Sequence, residues 1–240
     1  MASTIPTLLT YDAAFGYEIA VIIKDGLRRL YAEGEEYFYY LTLYNESYPM
    51  PAMPAGAEDG ILKGLYKVRP ATKGKKYKAH IFGSGPILRE ALGAQEILAE
   101  QFDVGADVWS VTSYKLLRGD ALKAQRWNML HPSAAPKRSY LESVLQHEEG
   151  VFVAVSDYMK MVADQIAPWV PGGLTTLGTD GFGRSDTRAN LRRFFEVDAE
   201  STAVATLYAL HQKEAFPAQV VDEAIKKLGI DPDKPFPFHL

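Results

Sequence analysis

From position 12 onward the chain alternates apolar and polar residues with a helical period. Phe15, Ile19, Ile22, Ile23, Leu27 and Leu30 fall on one face, so a helix is expected over 13–33, with Asp12 as its N-cap. Arg28 and Arg29 suit the negative end of that helix, and Gly34 suits its C-terminal cap. The period then changes: Tyr37 to Leu43 is apolar and aromatic throughout, which predicts a buried strand parallel to its neighbours. Asn45 to Gly56 contains three prolines and breaks all regularity, marking a boundary between units. Thr72 to Lys76 is a polar, lysine-rich turn.

Beyond it, strand, turn and helix recur. Tyr77 to Phe82 reads as a strand, Gly83-Ser84-Gly85-Pro86 as a tight turn, and Ile87 to Gln101 as a helix. Asp107–Thr112, Val151–Val155 and Leu174–Leu177 read as further strands. Helices are expected around 114–117, 121–130, 158–166, 188–195, 201–211 and 218–228. Apolar strands alternating with helices predict an α/β fold of three layers around a mostly parallel sheet. The end of a second α/β unit precedes it. The expected division is 1–55 for that remnant, 56–75 for a linker and 76–240 for the main domain.

The 240 residues are 47% apolar, room for between one and two domains. A formal net charge of -4 argues against nucleic acid as a partner. No apolar run is long enough to span a bilayer, and no secretory signal opens the chain, so no membrane association is expected. The absence of cysteine removes thiolate chemistry and Cys-ligated metal, and agrees with a cytoplasmic location.

Candidate chemistry is sparse. Gly83-Ser84-Gly85 between strand and helix is a phosphate cradle in form, but it lacks the third glycine of a dinucleotide fingerprint and the lysine of a Walker loop, so a plain tight turn is the stronger reading. The five histidines show no metal-ligand spacing; His131 is expected to cap or pack beside Pro132. Asp157 reads as an N-cap, with an acid at a strand end as the alternative. The most unusual stretch is Gly178 to Arg188, where Asp180, Arg184, Asp186 and Arg188 surround Phe182 in a glycine-rich loop after a strand. It is either an anion or partner contact through Arg184 and Arg188, or a self-satisfied salt-bridged loop in which Asp186 caps the next helix.

Several segments together resemble one family. They are YDAAFGYEIAVIIKDGLRRLY (11–31), YYLTLYNESYPMPAMPAGAEDGILKGLYK (39–67), GSGPILREAL (83–92), DVWSVTS (107–113), RWNMLHP (126–132), SDYMK (156–160) and GTDGFGRSDTRANLRRFFEVD (178–198). In this order they resemble the C-terminal part of the homodimeric type of pyruvate dehydrogenase first component, a thiamine-dependent, transketolase-like family.

The resemblance implies a transketolase-like C-terminal domain preceded by the tail of a pyrimidine-binding domain. It also implies thiamine diphosphate and Mg²⁺ in the parent enzyme. The family's Gly-Asp-Gly motif, paired asparagines, catalytic glutamate and active-site histidines have no counterpart here: Gly119-Asp120 is followed by Ala121, and there is no Asn-Asn pair. The expectation is a region that packs a homodimer with the remainder of the component and binds no cofactor alone. Its candidate loop, Asp180 to Arg188, would face the channel or a lipoyl domain of the acetyltransferase core. A stand-alone interaction module, or a small-ligand binder at Gly83 to Pro86, are the alternatives. A truncated pyrimidine-binding unit would also leave apolar surface and strand edges exposed.

Overall fold

The computed structural model describes residues 2–213 and 216–239. Seven strands and nine α-helices are present among them. In the N-terminal unit, β1 (Leu8–Asp12) pairs in parallel with β2 (Phe38–Thr42), and α1 (Gly16–Leu27) connects them, its last turn widening into a π-turn at Arg28–Ala32. Next come α2 (Glu58–Lys63), β3 (Tyr66–Arg69), β4 (Tyr77–Gly83), α3 (Leu88–Gln101), β5 (Val104–Ser110), α4 (Tyr114–Leu130) and α5 (Tyr140–Leu145). The chain closes with β6 (Val151–Val155), α6 (Lys160–Asp164), β7 (Thr175–Leu177), α7 (Arg188–Phe194), α8 (Ala199–Lys213) and α9 (Ala218–Lys227).

The main sheet has the order β3-β5-β4-β6-β7. Every pairing is parallel except the edge pair β3–β5. Side-chain alternation along its strands divides the core in two. Ala79, Ile81, Val108, Val153 and Val155 pack with Leu88, Leu98, Leu207 and Leu210 of α3 and α8. Phe82, Trp109, Phe152 and Ala154 pack with Leu117, Leu141, Leu145 and Ile166 on the other face. That is the expected three-layer α/β arrangement. A third, smaller core joins Leu9, Tyr11 and Ile22 to Ala57, Ile61 and Tyr66.

Four details differ from the sequence expectations. Asp12 does not cap the first helix; it ends β1, and the helix begins at Gly16. Glu18 reaches back instead to the Ala14 and Phe15 amides. β2 is a parallel strand but not a buried one, with Phe38 and Tyr40 half exposed, because no third strand covers it among the described residues. The two helical stretches at 114–117 and 121–130 are one helix, since the Arg118-Gly119-Asp120 interruption lacks any breaker strong enough to end it. Residues 56–75, expected as a linker, carry α2 and β3, and β3 edges the main sheet. No described helix is long and apolar enough to cross a membrane.

Candidate functional site

The carboxyl ends of β1, β4 and β6 converge, and two adjoining cavities open there. α/β proteins bind ligands at such edges. The first, about 330 Å³, lies between Asp12 on β1 and Tyr114 on α4. The second, about 280 Å³, is bordered by Tyr44, Glu46, Asp157, Arg184, Arg188 and Arg192.

The turn after β4 separates them. Gly85 has φ +51°, and a Cβ there would lie 2.9 Å from both Asp12 carboxylate oxygens. Only glycine admits this approach. The group held against the turn is therefore the chain's own Asp12 carboxyl, which argues against a phosphate at the same place. Asp12 Oδ1 accepts hydrogen bonds from Thr42 Oγ1 (2.5 Å) and Tyr44 Oη (2.7 Å).

In the second cavity, Glu46 gathers three arginines. Arg192 lies at 2.6 Å, Arg89 at 2.7 Å and Arg188 at 3.6 Å, while Arg192 also reaches Glu90 at 3.1 Å. Burial works against the Glu46 charge, yet Arg192, Arg89 and Arg188 together hold its carboxyl below the usual range. Sequence reasoning placed Glu46 in a boundary segment and missed this role. Its partners lie 43 and 146 residues away, so no local spacing announces them.

The candidate loop contributes only some of its side chains. Arg184 and Arg188 border the cavity; Arg188 also donates to Asn45 Oδ1 (2.6 Å), and the Arg184 guanidinium lies 4.6 Å over the Phe194 ring. Asp180 turns away and accepts from the Lys160 amide (3.1 Å). Phe182 is 81% exposed. Thr187, not Asp186, caps α7, by accepting from the Asn190 amide; Asp186 holds the Thr187 amide and the Asn190 side chain. No ion pair joins the loop's own charges among the described residues, so the loop is not internally neutralised.

Asp157 does not cap α6, which begins after Met159. It is a largely buried acid whose Oδ1 has no hydrogen-bond partner. Burial, then the nearby Asp12 charge, push its carboxyl up to about 6. The folded protein therefore binds the Asp157 proton more tightly than the unfolded chain does, and this contribution to stability is lost as pH rises from about 4 to about 6. Asp157→Asn should abolish that loss and raise stability at pH 7.5 by about 1–2 kcal/mol. Thermal melts of both proteins at pH 4, 6 and 7.5 check it.

The one cluster with metal-ligand chemistry among the described residues is His80, Asp107 and Glu148. Its centre is already taken by the Lys67 ammonium, 2.6 Å from Asp107 and 2.9 Å from Glu148. His80 Nε2 donates to the Glu149 carbonyl (3.0 Å), leaving Nδ1 to accept from Trp109 Nε1 (3.3 Å). Asp120 is bound to the Tyr140 amide (2.6 Å) on the opposite side of the sheet from α3. These residues do not fit Mg²⁺ and a diphosphate, which need several free oxygen ligands at one point. His131 caps α4, its Nδ1 donating to the Trp127 carbonyl (2.8 Å) and its ring stacked on Trp127.

Residues 64–198 match the family described as the transketolase-like TK C-terminal domain, and residues 1–51 match the pyruvate dehydrogenase E1 component middle domain. The pyruvate dehydrogenase E1 component of Pseudomonas aeruginosa is 49% identical over 235 residues, covering 98% of this chain. Those of Escherichia coli K12 and Mycolicibacterium smegmatis are 49% and 46% identical over 96% of it. The chain spans about a quarter of the length of these relatives, between 25% and 27%. Among solved structures, a transketolase from Leishmania mexicana superposes with a TM-score of 0.62 at 16% identity, over 90% of this chain and 27% of its own. A split-gene transketolase, described as an inactive β4 tetramer, superposes at 0.59 and 15% identity, over 89% of this chain and 60% of its own. The chain belongs to the transketolase-like C-terminal-domain family, in the branch whose relatives are pyruvate dehydrogenase E1 components.

Proposed function

We propose that the chain supplies the C-terminal portion of a pyruvate dehydrogenase (acetyl-transferring) component, an enzyme that decarboxylates pyruvate and acetylates lipoyl groups. The observation that carries this is a match of 235 residues at 49% identity, 98% of this chain, that spans only 27% of the relative. Its role in that enzyme is structural: it packs the remainder of the component and its homodimer partner, and shapes the approach to the active site. Residues 1–55 then act as the end of the pyrimidine-binding domain and 76–240 as the C-terminal domain, with 56–75 leading from one to the other and adding β3 to the edge of the main sheet.

Thiamine diphosphate and Mg²⁺ are held by the rest of the enzyme, and the isolated chain is inactive. A thiamine site needs both an offset for the diphosphate charge and a carboxylate to activate the ring, which the described residues do not offer at one place. The half-exposed Phe38 and Tyr40 on β2, with Ile23, Leu27 and Tyr31 on the α1 segment, form the surface that the remaining strands of the N-terminal unit would cover. The setting is the cytoplasm, where the lipoyl domain of the acetyltransferase core approaches.

Calorimetry tests the cofactor side. Thiamine diphosphate with Mg²⁺ should give no binding heat with this chain, and micromolar affinity would overturn the reading. The loop is tested in the full-length enzyme: Arg184→Ala with Arg188→Ala should slow lipoyl acetylation by about tenfold, with cofactor affinity unchanged, through loss of the two cations at the cavity. An unchanged acetylation rate would remove the loop from the acceptor path.

A further inference from the structure

The cavity of about 330 Å³ between β1 and α4 has no role in the reading above, and its floor contains an unresolved electrostatic demand. Asp12 and Tyr114 both line it, and the atoms at issue are Asp12 Oδ2 and Tyr114 Oη. Each is enclosed by protein and has no hydrogen-bond partner, and Tyr114 is only 5% exposed. Enclosed polar atoms are almost always paired, and an unpaired carboxylate oxygen is the costliest kind to leave. The hydroxyls of Thr42 and Tyr44 already occupy Oδ1; burial pushes the Asp12 carboxyl up against the pull of the Thr42, Tyr44 and Ser84 hydroxyls, so a cation beside Oδ2 would favour its charged form.

The walls indicate what that donor is attached to. Tyr11, Tyr158, Val111 and Val162 are apolar or aromatic, and the volume is at the lower end for organic ligands, about ten times that of one water. Aromatic walls around a single carboxylate suit a cation with an apolar body. Lys115, the cation in the cavity lining, donates its protons to the Ala2, Ile5 and Leu8 carbonyls (3.0, 2.6 and 2.5 Å) and forms no ion pair with Asp12. We infer that this cavity is a binding site for a small organic cation, an amine or amidine, with Asp12 Oδ2 as its counter-ion and Tyr114 Oη as its second hydrogen-bond partner.

The probe series is benzamidine, benzamide and benzoate, which share a shape and differ in charge. Calorimetry on the 240-residue chain should show benzamidine binding in the range of about 0.1–1 mM, with benzamide and benzoate weaker by at least about tenfold. Asp12→Asn should weaken benzamidine by a similar factor, and Tyr114→Phe by about threefold. Equal binding of benzamide, undiminished affinity in Asp12→Asn, or no binding at all would overturn the proposal. The benzamide comparison uses the native chain, so it stands even where Asp12→Asn folds poorly. Repeating the titration on the full-length enzyme should give the same affinity. Binding to the chain with none to the full-length enzyme would show that a side chain of the remaining protein fills the cavity, which also overturns a free ligand.

Discussion

Glu18→Ala is expected to be the most damaging single substitution in the chain, costing about 4–6 kcal/mol. Glu18 is fully buried and accepts four hydrogen bonds. Ala14 and Phe15 amides reach Oε2 at 2.5 and 3.0 Å, and the Tyr66 and Ser110 hydroxyls reach Oε1, each at 2.6 Å. Burial pushes its carboxyl up, while the Ser110, Tyr66, Phe15 and Ala14 donors pull against that push. Alanine would leave all four donors enclosed without an acceptor. Since whole domains are stable by only about 5–15 kcal/mol, the chain would lose much of its stability. The damage also has a direction, because Ser110 ends β5 and Tyr66 begins β3, so Glu18 fastens α1 to the main sheet. Glu18→Gln should cost far less, about 1–2 kcal/mol. A Gln amide in place of Oε1 can donate to hydroxyls that rotate, and Tyr66 already has Tyr17 Oη at 2.7 Å as another partner. Urea unfolding of the two variants checks the pair: a cost under about 2 kcal/mol for Glu18→Ala would show that the α1 attachment is carried elsewhere.

Lys67→Met is expected to be the second most damaging, at about 2–4 kcal/mol. Lys67 joins Asp107 to Glu148 and lies 4.7 Å over the Trp109 ring. Methionine keeps the stem but removes the charge between two partly buried carboxylates, which then repel each other. His80 provides an independent readout. Burial is the main reason its imidazole titrates below the usual range, and the Lys67 charge adds to it, against the pull of the Glu149 carbonyl, Glu148 and Asp107. Without Lys67, His80 should take up a proton at higher pH than in the native chain. An NMR titration of the ring that shows no upward shift would mean that Lys67 does not control the cluster.

The architecture was legible where one strand or helix carries its own pattern. VFVAV at 151–155 and the run from Leu88 to Gln101 fell where periodicity placed them, because burial on two faces or one leaves a direct mark on the residue order. β1 and β3 were not legible, because LLTYD and YKVR mix polar and apolar positions and neither carries the unbroken apolar run of β6. Asp12 was read as a cap because local chemistry allows it, whereas its actual partners, Thr42, Tyr44 and the Gly85 turn, come from distant segments. The candidate site was half legible. Arg184 and Arg188 stood out in a glycine-rich loop, but the acid that Arg188 approaches, Glu46, lay in a proline-rich stretch with no signal of its own. Gly178 shows the same limit: a Cβ there would come within 2.5 Å of the Tyr158 carbonyl, a constraint visible only after the β6 and β7 ends are brought together.

The most direct test of the central claim is a pyruvate decarboxylation assay on this chain, alone and mixed with the upstream three quarters of a pyruvate dehydrogenase E1 component, with thiamine diphosphate and Mg²⁺ present throughout. The account predicts no turnover by the chain alone, and turnover restored when the two parts are combined. Decarboxylation by the chain alone, or a mixture in which the two parts neither associate nor gain activity, would contradict it.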